Sequence, residues 1–168
     1  MKFISSFIIL SASVLTLSSC KNDTVSTPST PEFVAENKSF ANFMTWAQTV
    51  QPRHGKDPAG LISNAHGSDD STMTRTIYIN SADAKRDASG QFPVGTIFAK
   101  DMTMANGMSA MVTGMAKRGG EYNKTGNGWE FFMVMNGSIV ARGDTLMGGM
   151  CKGCHTGAGI GKDFVFTK

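Results

Sequence analysis

The hydrophobic pattern changes period near residue 52. Over residues 32–50 the apolar positions Phe33, Phe40, Phe43, Met44, Ala47 and Val50 recur at helical spacing, which predicts one N-terminal amphipathic helix ended by Pro52. Beyond it the pattern is that of strands. Residues 74–80 (TRTIYIN) are β-branched and aromatic, residues 96–104 alternate, and residues 108–117 suit a strand. Residues 129–136 (WEFFMVMN) run into Asn136-Gly137, a hairpin signal ahead of a last strand at 138–142. Residues 81–88 read as a short helix capped by Ser81, and residues 144–151 as another, weakened by Gly148 and Gly149. Gly107, Gly114, Gly119, Gly120, Gly126 and Gly128 suit turns and bulges, which argues against a four-helix bundle. The expected fold is α+β: a mainly antiparallel sheet with an N-terminal helix and a short C-terminal helix.

The chain ahead of this pattern is of another kind. Residues 1–19 carry Lys2, an apolar run from Phe7 to Leu17 and small residues before Cys20, the form of an export signal. Leu17-Ser18-Ser19-Cys20 has the form of a bacterial lipobox, in which Cys20 is lipidated. Residues 20–31 then supply the lipidated Cys and a polar Ser/Thr/Pro tether, and residues 32–168 a single domain. This predicts an exported, membrane-anchored lipoprotein facing the periplasm. The 168 residues hold 16 basic against 13 acidic side chains with no basic block, so nucleic acid is not an expected partner and small solutes are.

Of the three cysteines, lipidation of Cys20 leaves Cys151 and Cys154, set in Cys151-Lys152-Gly153-Cys154-His155. CxxCH is the attachment motif of haem c: two thiols add across the vinyl groups and the adjacent imidazole ligates the iron. Gly153 lets the backbone pass close to the ring. A redox CxxC and half of a zinc site are the alternatives. The former expects a βαβ context, and the latter further ligands, for which the chain offers His54 and His66 in a Gly/Asp/Ser/Pro-rich stretch. The thirteen residues after His155 contain no Met or His, so a sixth ligand would come from an upstream Met, or the iron keeps an open position.

The blocks TRTIY at 74–78, FPVGTIFAK at 92–100, GWEF at 128–131, CKGCH at 151–155 and DFVFT at 163–167 together resemble the cytochrome P-460 family. The resemblance implies a mainly antiparallel β protein, a homodimer, holding a five-coordinate haem c. It also implies one of two activities. Members resembling cytochrome P-460 proper oxidise hydroxylamine to nitrous oxide or other nitrogen oxides and pass electrons to a redox partner cytochrome. Their relatives, the cytochromes c-prime-beta, bind nitric oxide and related gases without turnover.

The resemblance further implies that Lys100 forms a third covalent link, from its side-chain nitrogen to a porphyrin meso carbon. The residues bear on this independently. On a strand, Phe98, Lys100, Met102 and Met104 share one face, and an ammonium among such neighbours is costly to bury, which favours the neutral, nucleophilic amine. The other reading is a lysine that reaches solvent or pairs with Asp101 or Asp163. Arg75 matches a family arginine near the haem; it shares a face with Ile77 and Ile79 and needs an anionic partner, a haem propionate or a surface Asp69 or Asp70. The acidic residue that hydroxylamine oxidisers carry near the ligand falls at Thr113 here, a hydroxyl that hydrogen-bonds but is no general base near neutral pH. The nearest acid, Glu121, lies out of register with that position, and Trp129 and Phe131 are expected to pack the core.

Overall fold

The computed structural model describes residues 32–54 and 72–167, with backbone alone for residues 50–54. The export signal at 1–19, Cys20, the tether to residue 31, His66, Asp69 and Asp70 lie outside the described residues. The chain forms a six-stranded meander in which every neighbour in sequence is a neighbour in space. The strands are β1 (Ala47–His54), β2 (Thr74–Ile79), β3 (Ile97–Thr103), β4 (Ser109–Lys117), β5 (Trp129–Met135) and β6 (Ser138–Gly143), all paired antiparallel. A seven-residue helix, α1 (Met150–Thr156), follows them. The mixed α+β fold, with helical turns near each end of a mainly antiparallel sheet, is therefore the one expected.

The sheet is covered on both faces. On one, Tyr78, Ile97, Ala99, Phe132 and Val134 pack against Ala35, Phe40 and Phe43 of the N-terminal segment. On the other, Ile79, Phe98, Met115, Trp129 and Phe131 pack with Phe92, Val165 and the flanking Leu146, Cys151 and Phe164. Double coverage explains why β3 is buried from Ile97 to Met102 instead of alternating. The N-terminal segment is clasped by polar contacts as well. Arg142 donates to both carboxylate oxygens of Glu130 at 2.7 and 2.8 Å and to the Ala35 carbonyl at 2.9 Å, while Arg118 pairs with Glu32 at 2.6 Å.

Three local expectations need correction. Residues 32–50 form two short 3₁₀ turns, Asn37–Ser39 and Phe43–Thr45, not one amphipathic helix. A continuous helix would have put Met44 on the face of Phe40 and Phe43, yet Met44 is exposed while those rings are buried. The chain then extends into β1, which the helical reading had absorbed. Pro52 does not end a helix; it lies in an edge strand, within the register break between Val50 and Arg53, where a missing N–H does least harm. Residues 81–88 contain a turn in which the Ser81 carbonyl accepts from Ala84 at 3.1 Å and the start of a second, in which the Asp87 carbonyl accepts from Gly90 at 3.0 Å, and no helix. Asp87 there accepts from the amides of Ser89 and Gln91, a local alternative to helical bonding. At the C-terminal end the CxxCH motif is within α1 itself, preceded by the 3₁₀ turn Leu146–Gly149, where Met147 and Gly148 adopt positive φ.

Gly114 marks the closest approach of the N-terminal segment to the sheet. A Cβ there would lie 2.6 Å from Cε1 of the fully buried Phe40 and 3.3 Å from the Phe98 carbonyl. Gly114→Ala is therefore expected to destabilise the fold by about 1–3 kcal/mol through overpacking, read as a lowered urea midpoint with an unchanged slope.

Candidate haem site

The CxxCH motif owes its geometry to α1. The helix starts after Gly149, in a left-handed conformation (φ 83°), and continues through His155 and Thr156. Cys151 and Cys154 are separated by three positions and Cys151 and His155 by four, so all three side chains leave one side of a single helical turn. The two are not joined in a disulfide, and Cys154 is buried and Cys151 half-buried. Burial pushes the Cys151 thiol above its ordinary range, with a smaller push from Cys154. The position of a Cβ on Gly153 meets nothing within 4 Å, so the middle of the motif is open to a flat group.

His155 is held from two directions. Its ring packs between Phe131, at 5.2 Å between centroids, and Phe166, at 5.7 Å. Its Nδ1 lies 2.9 Å from the Phe164 carbonyl oxygen, an acceptor that keeps the proton on Nδ1. An imidazole fixed in this way ligates metal through Nε2, with the carbonyl as the outer partner that orients the ring. Two thiols one helical turn apart and an imidazole so oriented fit the demands of haem c. Among the described residues no group of three Cys, His, Asp or Glu side chains is arranged to hold a bare metal ion, and the His54 side chain and His66 lie outside those residues.

The sheet register brings the remaining sequence candidates to the same side. Ile77, Lys100, Thr113, Met133 and Ala141 are directly paired across β2 to β6 and form one row. The next row on that face is Ile79, Phe98, Met115, Phe131 and Gly143. Phe98, Ile77 and Cys151 belong to one apolar cluster, so Lys100, which alternates with Phe98, faces the side on which α1 lies. It is buried, at 9% exposure. Thr113, reached by spacing alone, is its immediate neighbour on β4. Arg75 is fully buried, two residues before Ile77 on that same face and opposite Met102.

The two carboxylates that the sequence offered to Lys100 are engaged elsewhere. Asp101 points to the opposite face and accepts from Ser109 at 2.5 Å and Thr103 at 2.9 Å. Asp163 is fully buried and accepts from Lys117 Nζ at 2.6 Å, Trp129 Nε1 at 3.0 Å, the Phe92 amide at 2.8 Å and the Asn127 side chain. Burial lowers the pKa of Lys117, and Asp163 opposes that shift. Glu121 is exposed and pairs with Lys124, away from Thr113. Trp129 and Phe131 pack the core as expected, but the indole N–H bond to Asp163 was not foreseen. Neither were the roles of Asp163 and Lys117, since a lone Asp and a lone Lys 46 positions apart carry no local signal.

The family profile for cytochrome P-460 matches residues 57–167. The chain belongs to the cytochrome P-460 family. No curated protein matches it. The matched span includes β2 to β6 and α1, and with them every paired position in the Lys100 row. The N-terminal cover, residues 32–46, lies outside the match, whereas the strand residues it packs on lie within it.

The shift at Cys151 gives a pH dependence that can be measured. A thiol pKa raised by burial leaves less thiolate at neutral pH, so alkylation of Cys151 in the haem-free chain is expected to accelerate only above the ~8.5 of an unperturbed cysteine. The check is the pH–rate profile of iodoacetamide labelling, followed on the peptide that contains Cys151.

Proposed function

We propose that this protein is a c-type cytochrome that oxidises hydroxylamine, with haem attached through Cys151 and Cys154, ligated by His155 and linked a third time through Lys100. The observation that carries the reading is the buried lysine in the row beside the CxxCH helix, where its paired neighbours across the sheet are Ile77, Thr113, Met133 and Ala141. The haem, when bound, supplies the electron-accepting centre. His155 donates through Nε2 and is kept in one orientation by the Phe164 carbonyl. The state of Lys100 needed for bonding to carbon is the neutral amine. Arg75, buried on the same face, suits a haem propionate through charge-assisted hydrogen bonds. Thr113 orients a small polar substrate by hydrogen bonding, and Ile77 and Met133, which flank the Lys100–Thr113 pair in the row, limit water.

The sequence supports placing this activity outside the cytoplasm. Residues 1–19 would direct export, Cys20 would carry the lipid, and residues 20–31 would tether the domain at 32–168 to the membrane on the periplasmic side. The working unit would be a homodimer that passes electrons to a redox partner cytochrome.

A second reading is a nitric oxide-binding cytochrome of the c-prime-beta type, which needs no proton acceptor. It is favoured by the Lys100 row, which offers the Thr113 hydroxyl where an oxidase would use a carboxylate.

The optical spectrum of the dithionite-reduced protein, matured with haem and freed of nitric oxide, decides between them. A broad Soret band far to the red of ordinary haem c is expected, and Lys100→Ala should return it to the ordinary position and abolish hydroxylamine turnover with an artificial electron acceptor. An ordinary five-coordinate spectrum with ligand binding and no turnover would establish the gas binder instead. Thr113→Glu places a carboxylate opposite Lys100, and is expected to raise hydroxylamine turnover by about a hundredfold, the lower range for a positioned general base.

A further inference from the structure

The Phe164 carbonyl reaches His155 only because two successive residues adopt a conformation that their side chains disfavour. Asp163 has φ 52° and Phe164 φ 56°, both in the left-handed region, where a bulky side chain is rarely found. Such a pair persists only where its surroundings fix it. Here they do so from both ends. Asp163 is anchored by Lys117, Trp129, Asn127 and the Phe92 amide. Arg86, from the loop between β2 and β3, donates to the carbonyls of Lys162 at 3.1 Å, Val165 at 3.0 Å and Thr167 at 2.9 Å. Its guanidinium also stacks 4.7 Å from the Phe92 ring, whose amide holds Asp163. The acceptors of Arg86 thus bracket the strained pair, and the bonds of Asp163 fix its first residue.

We infer that Arg86 and Asp163 are positioning residues for the proximal imidazole: together they hold residues 163 and 164 in the left-handed turn that aims the Phe164 carbonyl at His155 Nδ1. The inference rests on the reading of His155 as the haem ligand. A carbonyl accepting from Nδ1 pulls the proton outward and makes Nε2 the better donor. Loosening the turn lengthens or breaks that hydrogen bond, which weakens donation to the iron and makes the reduced state easier to reach. A residue that served stability alone would lower the unfolding midpoint without touching the electronic state of the iron.

The test is resonance Raman spectroscopy of the reduced holoprotein, together with its midpoint potential, for wild type, Arg86→Ala and the double variant Asp163→Asn/Lys117→Met. The double variant removes both members of the buried ion pair, so that no lone charge is left in the core. In both variants the iron–histidine stretching band is expected to move to lower frequency and broaden, and the midpoint potential to rise. If the double variant does not accumulate, Arg86→Ala alone decides, since Arg86 lies at the periphery of the network. Variants that keep the wild-type band and potential, with only a lowered unfolding midpoint, would overturn the inference while leaving His155 as ligand. A wild-type protein without bound haem or without an iron–histidine band would instead overturn the functional reading on which the inference stands.

Discussion

A carboxylate removed from water must be compensated on every lone pair, and the way Asp163 meets that demand organises the CxxCH side of this fold. Its partners are a lysine at the end of β4, an indole at the start of β5, an amide from the loop before β3 and a side chain from the loop between β4 and β5. One side chain therefore joins the C-terminal segment to both strands and both loops. Losing one member of such a pair strands a buried charge, a cost of about 3–5 kcal/mol, which is a large share of the stability of an ordinary domain. The ion pair does not make the fold stable in any simple sense, since well-packed apolar residues of equal volume commonly serve as well. It specifies where residues 163–167 lie, and these residues include the carbonyl that meets His155.

The sheet divides the work between its faces. The N-terminal segment seals one face with Phe40 and Phe43, and the clasp from Arg142 and Arg118 holds that seal in place. The other face carries every candidate chemical group: Arg75, Lys100, Thr113 and the CxxCH helix. Because side chains alternate, a slip of one residue in β3 would exchange Lys100 for Asp101 or Ala99 and place a carboxylate against α1. The seal on the far face resists such a slip, since it would bring Lys100 and Phe98 against Phe40. The N-terminal cover thereby fixes the register of a site that it does not touch.

The strands were legible because period-two alternation and the Asn136-Gly137 turn are local signals, and the faces of Lys100 and Arg75 followed from counting along them. The register partner of Lys100 was reachable only through spacing within recognised blocks, which led to Thr113. What was not legible depended on contacts distant in sequence. β1 is polar and contains Pro52, so its identity as a strand comes from β2 and not from its own residues. The apolar residues of 32–50 had a helical period by spacing, but burial under the sheet selected Phe40 and Phe43 and left Met44 outside. Arg86 sat in a stretch that looked helical, and its carbonyl acceptors lie 76 to 81 positions away.

The two sides of the histidine and lysine arrangement differ in kind, and this difference bears on function more than the fold does. The imidazole is fixed by a strained turn, two aromatic rings and a network of charged hydrogen bonds. Beside Lys100 the row is made of Ile77, Met133, Ala141 and one hydroxyl, side chains that fill space and carry no carboxylate. Removing electrons from hydroxylamine also removes protons, so an oxidase needs somewhere for them to go, whereas a gas binder does not. An imidazole held in one orientation suits either proposed role. The two proposed roles therefore differ in what they ask of proton acceptance in the Lys100 row, where Thr113 is the residue paired with Lys100.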